Sequence, residues 1–251
     1  MILAILVKEG LNMIEIKNVS KSYAKNQKCI DNLNLEIKDG EIFGFLGPNG
    51  AGKTTTIKMI TGILKMDEGE ILIDGDSIKE NPIEAKKKFG FVPDNPDLFL
   101  KLKGIEYLNF LADIYKVPKK ERKEIIENLA KKFNIFENLN DKIQEYSHGM
   151  RQKIVVIGAL LHSPHNWILD EPMTGLDPKS AHDLKELMRE HTQKGNTVFF
   201  STHVLEVAEK LCDRIGIINK GKLVFVGTYD EMKKQFKENA SLEELFLEIT
   251  E

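Results

Sequence analysis

Glu41-Ile42-Phe43-Gly44-Phe45-Leu46-Gly47-Pro48-Asn49-Gly50-Ala51-Gly52-Lys53-Thr54 joins a continuous apolar run to a glycine-rich segment ending in a basic and a hydroxyl residue. An apolar run of this length suits a strand buried on both faces of a parallel sheet. The segment after it matches G-x-x-x-x-G-K-[ST], and a helix is predicted from about Lys53 to Gly62. Strand, glycine-rich turn and helix in that order make a phosphate-binding loop. Gly47, Gly50 and Gly52, with Pro48, Asn49 and Ala51 between them, let the backbone curl so that several N–H groups point at one phosphate chain. The helix start adds the positive end of its dipole. Lys53 has the reach for β- and γ-phosphates, Thr54 can ligate Mg²⁺, and Thr55 follows in the same first turn.

Outward from this loop, strands and helices alternate. Ile14 to Val19 and Asn32 to Ile37 alternate apolar with polar, as half-buried strands do, and Asp39-Gly40 forms a turn. Glu70 to Ile73, Phe89 to Val92, Trp167 to Leu169 and Thr197 to Ser201 are further strands. Ile215 to Ile218 and Leu223 to Val226 flank Asn219-Lys220-Gly221-Lys222 as a hairpin. Between about Lys103 and Leu161 the apolar period becomes helical, with Ile105, Leu108, Leu111 and Ala112 on one face, and Pro118 opens a second helix of this block. Helices follow at about Lys179 to Lys194, stopped by Gly195, and at Val204 to Leu211, and two amphipathic helices close the chain. The pattern predicts an α/β core with a mostly parallel sheet, an antiparallel β portion and an inserted helical subdomain. The expected division is an N-terminal extension at 1–12, a core of 13–93 and 166–228, a helical subdomain at about 94–165, and C-terminal helices at 229–250.

Further chemistry lies at the strand ends. Trp167-Ile168-Leu169-Asp170-Glu171-Pro172 is an apolar strand that delivers two acids to the carboxyl edge of the sheet, beside the phosphate loop. Asp170 is placed to hold Mg²⁺ through water and Glu171 to polarise an attacking water. His203 follows the apolar strand Val198-Phe199-Phe200, where its imidazole can contact a γ-phosphate or the water that attacks it. Tyr146-Ser147-His148-Gly149-Met150-Arg151-Gln152 starts a helix, with Ser147 as an N-cap residue.

With that last segment the chain resembles the nucleotide-binding subunits of ATP-binding-cassette (ABC) transporters, over residues 13–250. That family has a P-loop NTPase core of the RecA-like type and a signature motif usually written L-S-G-G-Q. Ser147 and Gly149 match the motif, whereas Tyr146, His148 and Met150 depart from it. Methionine followed by a basic residue and glutamine resembles the export-type branch. Thr174-Gly175-Leu176-Asp177 resembles the D-loop, His203 the switch histidine and Tyr23 the aromatic that stacks on adenine, although a strand tyrosine also serves cross-strand packing. Asp94 stands where the family usually has a glutamine that touches Mg²⁺ and senses the membrane partner. Aspartate also ligates Mg²⁺, and between Pro93 and Pro96 it equally suits a turn.

The resemblance implies ATP and Mg²⁺ as ligands and ATP hydrolysis as the activity, with Glu171 as general base or water-orienting group. It implies a second copy of the ATP-binding subunit, paired head to tail. Each ATP then lies between one phosphate loop and the Ser147, His148, Gly149 and Asp177 of the opposing protomer. It also implies a separate integral membrane permease, which would hold the subunit at the inner face of the cell membrane and transport in the export direction. A short non-transport ABC ATPase acting with a soluble partner, as in iron–sulfur assembly, is the alternative.

Composition agrees with these expectations. The 251 residues carry 36 basic and 39 acidic side chains, a net charge of −3, which offers nucleic acid no bulk attraction. At 41% apolar and 30% charged residues the chain is expected to fold. The two cysteines, Cys29 and Cys212, have no metal-ligand spacing and fit a reducing cytoplasm. No apolar run approaches the roughly 18 residues that span a bilayer, and Ile2 to Val7 lacks the basic start and cleavage site of a signal peptide.

Overall fold

The computed structural model describes residues 14–24, 27–236 and 241–250. The expected extension at residues 1–12 lies outside the described residues, and so does Met13. In chain order the elements are β1 (Ile14–Ala24), β2 (Gln27–Ile37), β3 (Ile42–Leu46), α1 (Lys53–Ile60), β4 (Glu68–Ile73), β5 (Asp76–Ser77), α2 (Pro82–Lys87) and β6 (Phe89–Val92). Then come α3 (Gly104–Ile114), α4 (Lys119–Lys132), α5 (His148–Leu160), β7 (Asn166–Leu169), α6 (Pro178–Gln193) and β8 (Thr197–Thr202). The chain continues through α7 (Leu205–Leu211), β9 (Arg214–Asn219), β10 (Lys222–Gly227), α8 (Tyr229–Gln235) and α9 (Leu242–Thr250).

A six-stranded sheet in the order β10-β9-β3-β8-β7-β6 forms the centre. Strands β9, β3, β8, β7 and β6 are parallel, and β10 returns antiparallel along β9. A second sheet, β2-β1-β4-β5, is antiparallel. The α/β class with a mostly parallel sheet and an antiparallel portion is therefore the observed one.

All five residues of β3 are buried, because helices and the second sheet cover both faces of the central one. Strand alternation divides the core. Phe43 and Phe45 turn toward the antiparallel sheet and α1, where both rings meet Phe199 at centroid distances of 6.0 and 5.6 Å. Trp167, Leu169 and Phe200 turn the other way, into the apolar sides of α3, α4, α5 and α6. A third cluster joins Leu46, Ile215 and Ile217 to α7, α8 and α9.

The sequence pattern understates the first two strands. β1 and β2 run to Ala24 and from Gln27, well beyond the alternating stretches at 14–19 and 32–37. Asn18 and Asn32 take positive φ, and the pairing register shifts between Ile16 and Val19. A bulge changes the phase of the side chains, so strict alternation ends although pairing continues. Helix α2 was not expected. It is six residues long with one buried side chain, too short to show an apolar period.

Besides the apolar core they share, helix α5 makes a close backbone approach to the sheet. Gly90 of β6 lies under α5, and a Cβ at that position would collide with the backbone carbonyl of Ala159. Gly90→Ala should therefore cost about 1–3 kcal/mol, as overpacking does, and lower Tm by about 2–10 °C. Thermal unfolding followed by circular dichroism checks this, and an unchanged Tm would show that α5 can lift off β6 freely.

Candidate functional site

The strand order places four carboxyl-edge segments side by side. β3 ends in the glycine-rich loop, β8 in His203, β7 in Asp170 and Glu171, and β6 two residues before Asp94. Register keeps these ends level, with Leu46 opposite Thr202, Leu169 opposite Phe200, and Val92 opposite Leu169.

The loop closes on itself through the Ala51 N–H donating to the Pro48 carbonyl at 3.1 Å. Gly52, the residue before α1, has φ +115°, and a Cβ there would stand 2.5 Å from Ile30 Cδ1. The positive φ requires glycine at that turn, whereas the Ile30 methyl could move aside. The buried Lys53 ammonium donates to the Gly47 carbonyl at 2.7 Å and the Pro48 carbonyl at 3.4 Å, and lies 3.7 Å from Glu171 Oε1. A cleft of about 550 Å³ opens over the loop. The loop residues Pro48, Asn49, Gly50, Gly52, Thr54 and Thr55 line it together with Asp94, Glu171, His203 and Tyr23.

Glu171 is anchored from several directions. His203 Nδ1 is 2.9 Å from its Oε2, and its backbone N–H donates to Ser201 Oγ at 3.0 Å. Its φ is +47°, a left-handed conformation that is strained for a residue with a long side chain. Asp170, only 2% exposed, accepts a 2.6 Å hydrogen bond from the Ser201 hydroxyl. Burial pushes its carboxyl above the usual range. Hydrogen bonds from Ser201 and Thr54 pull it back, and the nearby charges of Asp94 and Glu171 push it up again. Thr54, Asp170 and Asp94 thus offer oxygen donors only, a set that fits a hard divalent cation such as Mg²⁺.

Tyr23 lies on the cleft rather than in the core. It is 66% exposed, and its hydroxyl is 3.3 Å from Thr55 Oγ1. Ser147, His148, Gly149 and Asp177 are not among the residues lining this chain's cleft. Ser147 caps α5 by accepting from the Met150 N–H at 3.3 Å. Asp177 caps α6 by accepting from the Ser180 N–H at 3.0 Å, and pairs with Lys153 at 3.0 Å. The Ser180 hydroxyl, which donates to it at 2.6 Å, together with the Ser180 N–H and Lys153 holds its carboxyl well below the usual range. Thr174, the first residue of the D-loop-like segment, and Cys29 also line the cleft, and Ser201 organises both acids, although motif spacing flags neither Cys29 nor Ser201. Only the alternation of β8, which sets Ser201 two residues before His203, hints at its role.

A glycine-rich loop, a buried lysine and paired acids on one sheet edge define a P-loop nucleotide-binding protein. Comparison narrows the class. A family model described as "ABC transporter" matches residues 30–174. The linearmycin resistance ATP-binding protein LnrL of Bacillus subtilis is 37% identical over 220 residues, covering 88% of this chain and 70% of that protein. The SkfA peptide export ATP-binding protein SkfE of the same organism is 36% identical over 231 residues, covering 91% and 95%. A solved structure described as the ATP binding subunit of an ABC transporter superposes with a TM-score of 0.91 at 34% identity, covering 95% of this chain and all of that one. The chain belongs to the ABC transporter family and is an ATP-binding subunit of it.

Ser201→Ala should leave the Asp170 oxygen and the Glu171 amide short of a partner inside the edge. The expected cost is about 1–3 kcal/mol, a fall in Tm of about 2–10 °C. Calorimetry on the purified variant checks it, and a Tm equal to the wild type would show that the hydroxyl carries no weight there.

Proposed function

We propose that the chain hydrolyses ATP as one half of a homodimer and drives transport, in the export direction, through a separate integral membrane permease. The observation that carries this reading is the placement of Glu171, held by His203 and near Lys53 at the rim of the phosphate loop. In the proposed reaction the triphosphate lies along the loop amides, and Lys53 exchanges the Gly47 carbonyl for β- and γ-phosphate oxygens. Tyr23 stacks on the adenine. Thr54 and Asp170, with Asp94 beside them, would hold Mg²⁺, which when bound neutralises charge on the phosphate oxygens. Glu171 accepts a proton from the water that attacks the γ-phosphorus. The bond from that phosphorus to the β–γ bridging oxygen breaks, leaving ADP and phosphate. His203 keeps the Glu171 carboxylate oriented during this step.

Ser147, His148, Gly149 and Asp177 serve the nucleotide of the opposing protomer. Their position away from their own cleft supports that assignment, as does the start of α5, where the helix amides other than the Met150 N–H that Ser147 caps suit a phosphate. ATP touching both halves stabilises the closed dimer, and loss of the γ-phosphate releases it.

The membrane partner is supported by a patch just beyond Asp94. Leu98, Phe99, Phe110 and Ile114 are exposed, and the Phe99 and Phe110 rings meet at 5.6 Å. Clustered exposed apolar side chains of this kind mark interaction surfaces. Among the described residues no helix is long and apolar enough to cross a membrane, so a separate subunit would supply the passage. The names of the resistance and peptide-export relatives support the export direction.

Glu171→Gln should retain ATP binding, lose about a hundredfold or more in turnover, and accumulate as a dimer in sedimentation velocity with ATP and Mg²⁺. A variant that stays monomeric at saturating nucleotide would overturn the composite-site reading. Lys53→Ala should lose most of its nucleotide affinity by equilibrium dialysis, and unchanged binding would contradict the phosphate-loop assignment. Tagged Glu171→Gln chain, captured with ATP from gently solubilised source cells, should bring down a polytopic membrane protein. A soluble partner alone would favour the iron–sulfur-assembly type of function.

A further inference from the structure

The cleft carries an imbalance of charge. Lys53 is the one lysine or arginine among its lining residues, whereas Asp94 and Glu171 line it and Asp170 lies just behind. Two of these acids are engaged. Glu171 has His203 at 2.9 Å and Lys53 at 3.7 Å, and Asp170 accepts from Ser201 at 2.6 Å. The Asp94 carboxylate has no hydrogen-bond or ion-pair partner among the described residues. It stands at the end of β6, next to β7, whose Asp170 N–H donates to the Val92 carbonyl at 2.8 Å. Asp94 is close enough to Asp170 for their charges to oppose each other, and it faces the same cleft. It thus shares one cleft with Thr54, whose hydroxyl bonds to Asp170.

We infer that Asp94 makes the site discriminate between metal-bound and metal-free nucleotide, repelling the bare triphosphate and accepting it once a divalent cation covers its charge. The inference rests on the nucleotide-site reading above, but not on dimerisation or on transport. A neutral side chain at 94 would distinguish the two forms less, because it has no net charge to oppose a nucleotide of about −4 more strongly than one of about −2. A carboxylate does. At a dielectric close to that of bulk water, a unit charge about 4 Å from one phosphate charge changes affinity by about three- to tenfold. The same charge strengthens the oxygen donor set for the cation, so its two effects add in the ratio of affinities.

The test measures binding of a fluorescent ATP analogue to the full chain at low ionic strength, once with excess EDTA and once with Mg²⁺. Asp94→Asn keeps the shape and removes the charge, and Asp94→Gln restores the amide of the usual family pattern. Both variants should bind the metal-free nucleotide about three- to tenfold more tightly than wild type, and the Mg²⁺ complex equally or more weakly. The gain should shrink as salt is raised, because screening acts on an exposed charge. Asp94 is exposed, so the variants are expected to melt with the wild type, and a melting curve confirms that they fold. A purely structural role would shift both affinities by one common factor. An unchanged ratio of the two dissociation constants in both variants therefore overturns the inference. Absence of nucleotide binding by the wild-type chain would overturn the phosphate-loop reading itself and this inference with it. Binding with the expected ratios by a chain that never dimerises would leave the inference standing and remove the composite-site proposal.

Discussion

A carboxylate buried at 2% exposure at the end of an apolar strand has to be satisfied, and at Asp170 the satisfaction comes from Ser201 on the neighbouring strand. Much of the nucleotide edge follows from that contact. Ser201 donates to Asp170 and accepts from the amide of Glu171, so one hydroxyl fixes two consecutive acids. It also binds β7 to β8 at their carboxyl ends, where parallel pairing is about to stop. With the edge held there, Glu171 is confined to the left-handed conformation that turns its side chain toward Lys53 and His203. The strain of that backbone is sustained because the partners of Glu171 leave little room for an alternative.

The same economy governs the junction between the core and the helical block. α5 approaches β6 closely enough to forbid any side chain at Gly90. At its other end Arg151 donates to the Ile143 and Gln144 carbonyls and pairs with Asp97 at 2.7 Å. Asp97 lies three residues beyond Asp94, so the segment leaving β6 is tied directly to the helix that Ser147 caps. Under the proposed function, this gives a physical route between the exposed Phe99 and Phe110 patch and the α5 N-terminus.

How much was legible in the sequence depended on the range of the signal. The phosphate loop, the acids after Leu169 and the strand before His203 were readable because each depends on a few consecutive residues. The α/β pattern was readable because the apolar period changes sharply at about Lys103. The full lengths of β1 and β2 were not, because positive φ at Asn18 and Asn32 interrupts the alternation by which strands are recognised. In the sequence Ser201 is only the last residue of a strand. Its partners are 31 and 30 residues away in sequence, and nothing local distinguishes a serine that holds two acids from one that ends a strand. The surroundings of Asp94 also needed three dimensions, since only strand order sets it beside Asp170.

His148 illustrates how a departure from a motif is absorbed. A side chain there occupies a position that the family usually leaves to glycine. In this fold the His148 ring lies over Gly175, so closely that a Cβ on Gly175 would collide with it. Gly149 is pressed on the same residue, where its own Cβ would stand 2.8 Å from the Gly175 carbonyl. The space that position 148 no longer leaves open is provided by the absent side chain at 175, whose φ of +76° independently favours glycine. Lys153 and Asp177 close the other end of the contact as an ion pair. The α5 N-terminus and the loop before α6 are therefore packed as one unit within the chain. Glu171 and Asp177 bound that loop, so the segment that carries the proposed base also carries the contact with α5.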